Sequence, residues 1–223
     1  MSDVGKLPLV VLISGSGSNL QALIDAVREQ ALPVEIRAVI SNRGDAFGLE
    51  RARDAGIEAR VLDHREFPDR ESYDRALAEL VESYRPGLVV LAGFMRILTP
   101  AFVQRFRGRL INIHPSLLPR HRGLHTHQRA LDAGDREHGA SVHYVTEELD
   151  GGPVILQAKV PVEPGDDAAT LAARVLRREH VLYPTVVRWI AEGRVRLEDG
   201  RVLLDGRPLA EPPLLEAETA PAP

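Results

Sequence analysis

Leu9-Val-Val-Leu-Ile-Ser-Gly-Ser-Gly-Ser-Asn-Leu-Gln-Ala-Leu-Ile-Asp-Ala-Val27 decides the fold. Its first five residues, Leu9 to Ile13, form a continuous apolar run of strand length, the pattern of a strand covered on both faces of a parallel sheet. Leu20, Leu23, Ile24 and Val27 fall at i, i+3, i+4 and i+7, which is one face of a helix. Between them lies Ser14-Gly-Ser-Gly-Ser-Asn19, made of small residues. A strand, a small-residue loop and a helix in that order present free backbone N–H groups to an anion, a phosphate above all, at the helix N-terminus. A tight turn that only needs glycine torsions is the plainer alternative. The dinucleotide fingerprint is incomplete, because Leu20 stands where its third glycine belongs, so no dinucleotide is expected.

The same alternation continues downstream. Val34 to Ser41 reads as a strand, Phe47 to Ala55 as a helix with Gly56 as its C-cap, and Ala59 to Leu62 as a strand. A helix from Asp69 to Tyr84 carries Tyr73, Ala76, Leu77, Leu80, Val81 and Tyr84 at helical spacing and stops at Pro86-Gly87. Leu88 to Ala92 is again fully apolar. This β-α-β-α-β-α-β order predicts an α/β fold, doubly wound, with a mainly parallel sheet and helices on both faces.

Thr99 is placed to cap a short helix to Phe106, and Gly108 releases the chain into Leu110-Ile-Asn-Ile-His-Pro-Ser-Leu-Leu-Pro119. There an apolar strand ends in Asn112 and His114, which share a face because residues two apart on a strand point the same way. Pro115 disfavours helical torsions at His114 and lets the chain leave extended. The carboxyl ends of parallel strands are where open α/β sheets bind ligands. A neutral amide donor beside a group that can carry a proton suits a reaction that builds negative charge on a carbonyl oxygen. Strand-end polar residues that only satisfy loop backbone are the structural alternative.

His125-Thr-His127 could supply two metal ligands on an extended segment, but no third of clear spacing joins them, and no metal is expected. A helix spans Gln128 to Ala133. Ala140 to Val145 alternates as a half-exposed strand does. In Thr146-Glu-Glu-Leu-Asp-Gly-Gly152, Asp150 is either a turn-former or a partner returning to His114, where its charge would favour imidazolium and raise the histidine pKa. Val154 to Pro161 reads as a strand antiparallel to its neighbour. Asp166-Asp167 precede a helix from Ala168, which Pro184 is expected to kink or break. Arg194 to Glu198 and Val202 to Leu204, joined by Asp199-Gly200, form a C-terminal hairpin. The core runs from about residue 9 to 205 within a single domain, and the Pro-, Ala- and Glu-rich residues 211–223 are expected to be disordered.

Composition narrows the class. The chain has 223 residues, 44% hydrophobic and 27% charged, with a formal net charge of -4, which gives no general attraction to nucleic acid. Cysteine is absent, which excludes disulfides and thiolate chemistry. Neither a membrane-length apolar run nor a signal-peptide core in Met1 to Lys6 is found, so a soluble cytoplasmic protein with no membrane partner is expected.

Ser14 to Asn19, Ala92-Gly-Phe-Met-Arg96, Asn112 to Pro119, Gly123-Leu-His-Thr-His127 and Glu148-Leu-Asp-Gly-Gly-Pro153, in this order, resemble the folate-dependent phosphoribosylglycinamide formyltransferases of purine synthesis. The resemblance covers about Leu9 to Trp189 and implies one Rossmann-like formyltransferase domain. It implies transfer of a formyl group from 10-formyltetrahydrofolate, as co-substrate, to the amine of glycinamide ribonucleotide, by a monomer or homodimer acting on small molecules. Asn112, His114 and Asp150 are then catalytic. Gly17, Ser18 and Asn19 would cradle the ribonucleotide phosphate, Gly93 and Met95 border the glycinamide, and Glu179 contacts the ribose. The folate site would comprise Arg70, Met95, Arg96, Ile97, Leu98 and Asn112 with the loop Thr146, Glu147, Glu148, Leu149 and Asp150. Leu176 departs from the family, some members of which carry Gln there.

Overall fold

The computed structural model describes residues 5–29 and 32–216. The elements are β1 (Leu7–Ile13), α1 (Ser18–Glu29), β2 (Val34–Ser41), α2 (Gly48–Asp54), β3 (Glu58–Val61), α3 (Arg70–Ser83), β4 (Leu88–Leu91), α4 (Pro100–Arg105) and β5 (Leu110–His114). They continue with α5 (Thr126–Asp132), β6 (Glu137–Tyr144), β7 (Val154–Pro161), α6 (Ala168–Ala191), β8 (Val195–Glu198), β9 (Arg201–Leu204) and β10 (Arg207–Pro208). One sheet has the order β3-β2-β1-β4-β5-β6-β7, and β8 to β10 form a separate antiparallel sheet.

The pairs from β3 across to β5 are parallel, and β6 and β7 are added antiparallel. The chain winds outward from β1 to β3, then returns to β4 on the other side of β1. That reversal opens a crevice at the carboxyl ends of β1 and β4. Both faces of the sheet are covered, as the unbroken apolar run requires. Leu9, Val11 and Ile13 pack in the layer with Leu20 and Leu23 of α1 and Leu182 and Val186 of α6. Val10 and Leu12 face the other layer, with Leu77 and Val81 of α3 and Phe102 of α4.

Local chemistry sets the boundaries. Asp69, Thr99 and Asp167 each accept a backbone N–H at a helix start, so α3, α4 and α6 begin where side-chain oxygens satisfy the first turn. The Asp199-Gly200 turn has positive φ at both residues, 49° and 75°, as a tight hairpin demands.

Three expectations are corrected. The sixth strand is not half-exposed, since every residue from His138 to Tyr144 is buried. Ala140, Val142 and Tyr144 join the core against α6, while Ser141 bonds to the loop after β5, so its polar residues are inside with partners rather than in water. Pro184 neither breaks nor ends α6, which runs unbroken from Ala168 to Ala191. Leu182, Tyr183, Val186 and Val187 on both sides of it are buried against the sheet, and that packing outweighs the missing N–H. Finally, Pro213 to Leu215 are ordered along β7. The Gln157 amide donates to Pro213 O (3.0 Å), and Leu215 N donates to Gln157 O (2.7 Å). The open edge of β7 supplies the backbone partners that composition cannot reveal. Residues 217–223 of the expected tail lie outside the described residues.

Tyr183 ties α6 to the sheet: its buried hydroxyl donates to Leu91 O (2.7 Å) and lies 3.3 Å from Ile111 O. Tyr183→Phe is expected to lower the unfolding free energy by about 1 kcal/mol in urea denaturation; an unchanged midpoint would remove that tie from the account.

Candidate active site

Two groups of side chains gather at the strand ends. The first surrounds a cleft of about 530 Å³ lined by Ser14 to Asn19, Asn42, Arg43, His64, Ala92, Gly93, Met95 and Arg96. Gly17 takes φ +70°, and a Cβ there would stand 2.6 Å from Gly48 Cα, so the loop needs glycine for both torsion and space. Gly48 N donates to Gly15 O (3.0 Å) and Arg51 Nε to Ser16 O (2.8 Å), which fixes the loop from behind. α1 begins at Ser18, and its first amides have no intrahelical acceptor. The Ser14 hydroxyl donates to Asn42 Oδ1 (2.6 Å) and accepts from Met95 N (2.8 Å), tying the ends of β1, β2 and β4 together.

Behind the loop, Glu179 of α6 meets Asn19, one of the cleft-lining residues. Asn19 Nδ2 donates to Glu179 Oε2 (2.8 Å), while Asn19 Oδ1 is buried with no partner among the described residues. Glu179 is 7% exposed. Burial raises its pKa, and the hydrogen bond from Asn19 pulls it the other way. Mid-helix Glu179 is therefore not on a solvated face.

The second group sits one strand further on. Asn112 and His114 share a face of β5; Asn112 stands opposite His143 of β6, and His114 opposite Ser141. Asp150, at φ +49°, returns to the strand end and places Oδ2 3.5 Å from His114 Nδ1, with both side chains 8% exposed. His114 Nε2 donates to the His121 carbonyl (2.9 Å). Both ring nitrogens thus face oxygen atoms, the Asp150 carboxylate on one side and the His121 carbonyl on the other. His143 is missed by sequence reasoning. Its Nδ1 donates to Tyr144 O (3.0 Å), so Nε2 is left to accept from Asn112 Nδ2 (3.3 Å). Burial lowers the His143 pKa, while the bond to Tyr144 O and the Asp150 charge oppose that shift. One amide hydrogen of Asn112 is then fixed and the other remains for a ligand.

The remaining predicted residues are dispersed around these groups. Arg96 stacks over the Tyr73 ring (4.9 Å), and its buried Nε has no partner among the described residues. Met95 and Ile97 are exposed, whereas Leu98 packs on the core. Arg70 lies in the first turn of α3, 4.0 Å from Glu71 and outside the cleft lining. In the loop 146–150, Thr146 Oγ1 donates to Glu148 O (3.4 Å), Glu147 accepts from Gln104, Glu148 pairs with Arg122, and Leu149 is exposed. Asp74, also missed, is buried and accepts from Thr99 N (2.5 Å), anchoring the segment after Leu98. His127 Nδ1 lies 3.1 Å from His138 Nε2, and burial lowers the His138 pKa to about 4. Among the described residues no group of three or more His, Asp or Glu could hold a metal ion, and no helix is long and apolar enough to cross a membrane.

A model of the formyl transferase family matches residues 7–187, more than half the chain, so this is a formyltransferase enzyme. The phosphoribosylglycinamide formyltransferase of Escherichia coli (strain K12) is 58% identical over 201 residues, covering 90% of this chain and 95% of that protein. That of Haemophilus influenzae is 49% identical over the same length and coverage. The structure of the Coxiella burnetii phosphoribosylglycinamide formyltransferase matches with a TM-score of 0.90 at 52% identity, covering 94% of this chain and all of that one. The chain belongs to the phosphoribosylglycinamide formyltransferase family.

The buried Glu179 makes a linkage prediction. Its folded-state pKa is raised, so its contribution is most favourable below the unfolded carboxyl value of about 4.3 and is lost as pH rises through the folded value. Glu179→Gln is therefore expected to be more stable than the natural chain at pH 7, with the gap closing as the pH falls toward about 4. Urea titrations across that range test it, and a gap that widens on acidification would contradict the sign.

Proposed function

We propose that the enzyme transfers the formyl group of 10-formyltetrahydrofolate to the amine of glycinamide ribonucleotide in purine synthesis. The observation that carries this is Asn112 and His114 on one face at the end of β5, with Asp150 3.5 Å from the imidazole. The neighbouring phosphate-type loop, with Glu179 beside it, supports a ribonucleotide as acceptor.

The amine attacks the formyl carbon, a C–N bond forms, and negative charge develops on the formyl oxygen. Asn112 donates its free amide hydrogen to that oxygen, held in place by His143. His114, paired with Asp150, stands as a positive charge beside it; it gives a proton to the folate nitrogen as the bond from that nitrogen to the formyl carbon breaks, and is recharged by the proton lost by the amine. The folate supplies the activated one-carbon group. Glu147 and Glu148 are engaged by Gln104 and Arg122, which supports a pteridine contact through the loop backbone rather than through these carboxylates. Arg96, which lines the cleft with a buried Nε that has no partner among the described residues, suits the carboxylates of the folate tail, and Arg70, outside the lining, is the second arginine assigned to them. Ser18 and Asn19 offer donors to the phosphate.

Purified protein is mixed with 10-formyltetrahydrofolate, with and without glycinamide ribonucleotide, and deformylated folate is followed by absorbance. Release that requires the ribonucleotide and yields formylated ribonucleotide is expected; equal release without it would make water the acceptor and overturn the proposal. Asn112→Ala is expected to lower kcat by about 100- to 1,000-fold. His114→Ala is expected to abolish turnover in a folded protein, and near-normal turnover would remove His114 from the mechanism.

A further inference from the structure

One short stretch after β5 holds both members of the charged pair. The His121 carbonyl accepts the proton on His114 Nε2 (2.9 Å), and two residues later Gly123 N donates to Asp150 Oδ2 (2.8 Å). Any displacement of residues 121–123 therefore moves His114 and Asp150 together. At His121 the backbone is left-handed, φ +51°, a conformation that a non-glycine residue keeps only when its surroundings hold it there.

The holding contact is chemical. His121 Nε2 donates to Asp135 Oδ2 (2.6 Å), with the two side chains 14% and 12% exposed. Arg120 adds a weaker contact, 3.6 Å to Asp135 Oδ1. Asp135 is itself anchored, because its amide donates to Ala130 O at the end of α5 (3.0 Å). On the other side of His121, Ser116 Oγ donates to Arg120 O (2.6 Å). Rotation of the His121 backbone would break the bond to Asp135 and leave two largely buried polar groups unpaired, which opposes the motion.

We propose that His121, locked to Asp135, is a positioning residue: its side chain fixes the carbonyl that orients the His114 ring and, through Gly123, the carboxylate of Asp150. The proposal rests on His114 and Asp150 acting as the charged pair of the transfer. Neither His121 nor Asp135 touches the reacting atoms. Their effect is on the geometry of groups that do, and misplacement by about 1 Å can cost up to about 100-fold in rate.

Three variants test it. His121→Phe fills the space without a donor, Asp135→Leu removes the acceptor from the other side, and His121→Gln keeps an N–H that can reach Asp135. In the first two, kcat is expected to fall by up to about 100-fold with both KM values unchanged, and His121→Gln is expected to recover most of the loss. In parallel, the imidazole nitrogen signals of His114 in the unliganded enzyme, assigned against His114→Ala, are expected to shift in His121→Phe and return in His121→Gln. Unchanged kcat and unchanged His114 signals in folded His121→Phe and Asp135→Leu would overturn the proposal. So would an equal loss in His121→Gln, which would mark a packing role. If His114→Ala keeps turnover while His121→Phe still moves the His114 signals, the catalytic assignment falls and the positioning contact stands.

Discussion

The antiparallel pairing of β6 on β5 is the constraint on which the rest of the site depends. It sets His143 opposite Asn112 and Ser141 opposite His114, so each functional side chain of β5 has a polar neighbour on the same face. A slip of one residue would exchange His143 for Val142 or Tyr144 and leave Asn112 without its acceptor. What prevents the slip is the other face of β6, where Ala140, Val142 and Tyr144 pack under α6. The hydrophobic core thus selects the register that sets Asn112 against His143. Ser141 extends the same control to the following loop, since its hydroxyl donates to Ser116 O, accepts from Leu118 N and receives a hydrogen bond from Gln157.

Of the five side-chain polar atoms buried without partners among the described residues, two belong to cleft-lining residues and two to Tyr73 and Asp74, while His180 Nε2 lies elsewhere. Asn19 Oδ1 and Arg96 Nε belong to cleft-lining residues; the Tyr73 hydroxyl lies in the ring beneath the Arg96 guanidinium, and Asp74 adjoins Tyr73. Unsatisfied groups of this kind are rare in packed interiors. With the buried carboxyl of Glu179, they are groups whose burial costs stability.

Much of this was legible in the sequence because it is local. The apolar run Leu9 to Ile13, the helical spacing from Leu20 and the alternation down to Leu88 follow directly from the periods of strand and helix. Asn112 and His114 were visible because two residues on one strand must share a face. Their partner Asp150 was ambiguous in isolation, since an Asp before Gly-Gly also makes turns, and it does both here, at φ +49° and 3.5 Å from His114. His143 and Ser141 were not legible: alternation of polar and apolar residues looks the same whether the polar side meets water or a second layer of chain. The order of residues 213–215 and the continuity of α6 through Pro184 likewise depend on partners far away in sequence.

The hydrogen bond from Asn19 to Glu179 spans 160 positions. During synthesis, which proceeds from the N-terminus, the glycine loop and the ends of β1, β4 and β5 all leave the ribosome well before the acid that accepts from Asn19. An emerging chain therefore holds the glycine loop, Asn112 and His114 before Glu179 exists to accept from Asn19. The Asn19 side chain finds its acceptor only when the last long helix docks, so the glycine loop is completed later than the strand ends beside it.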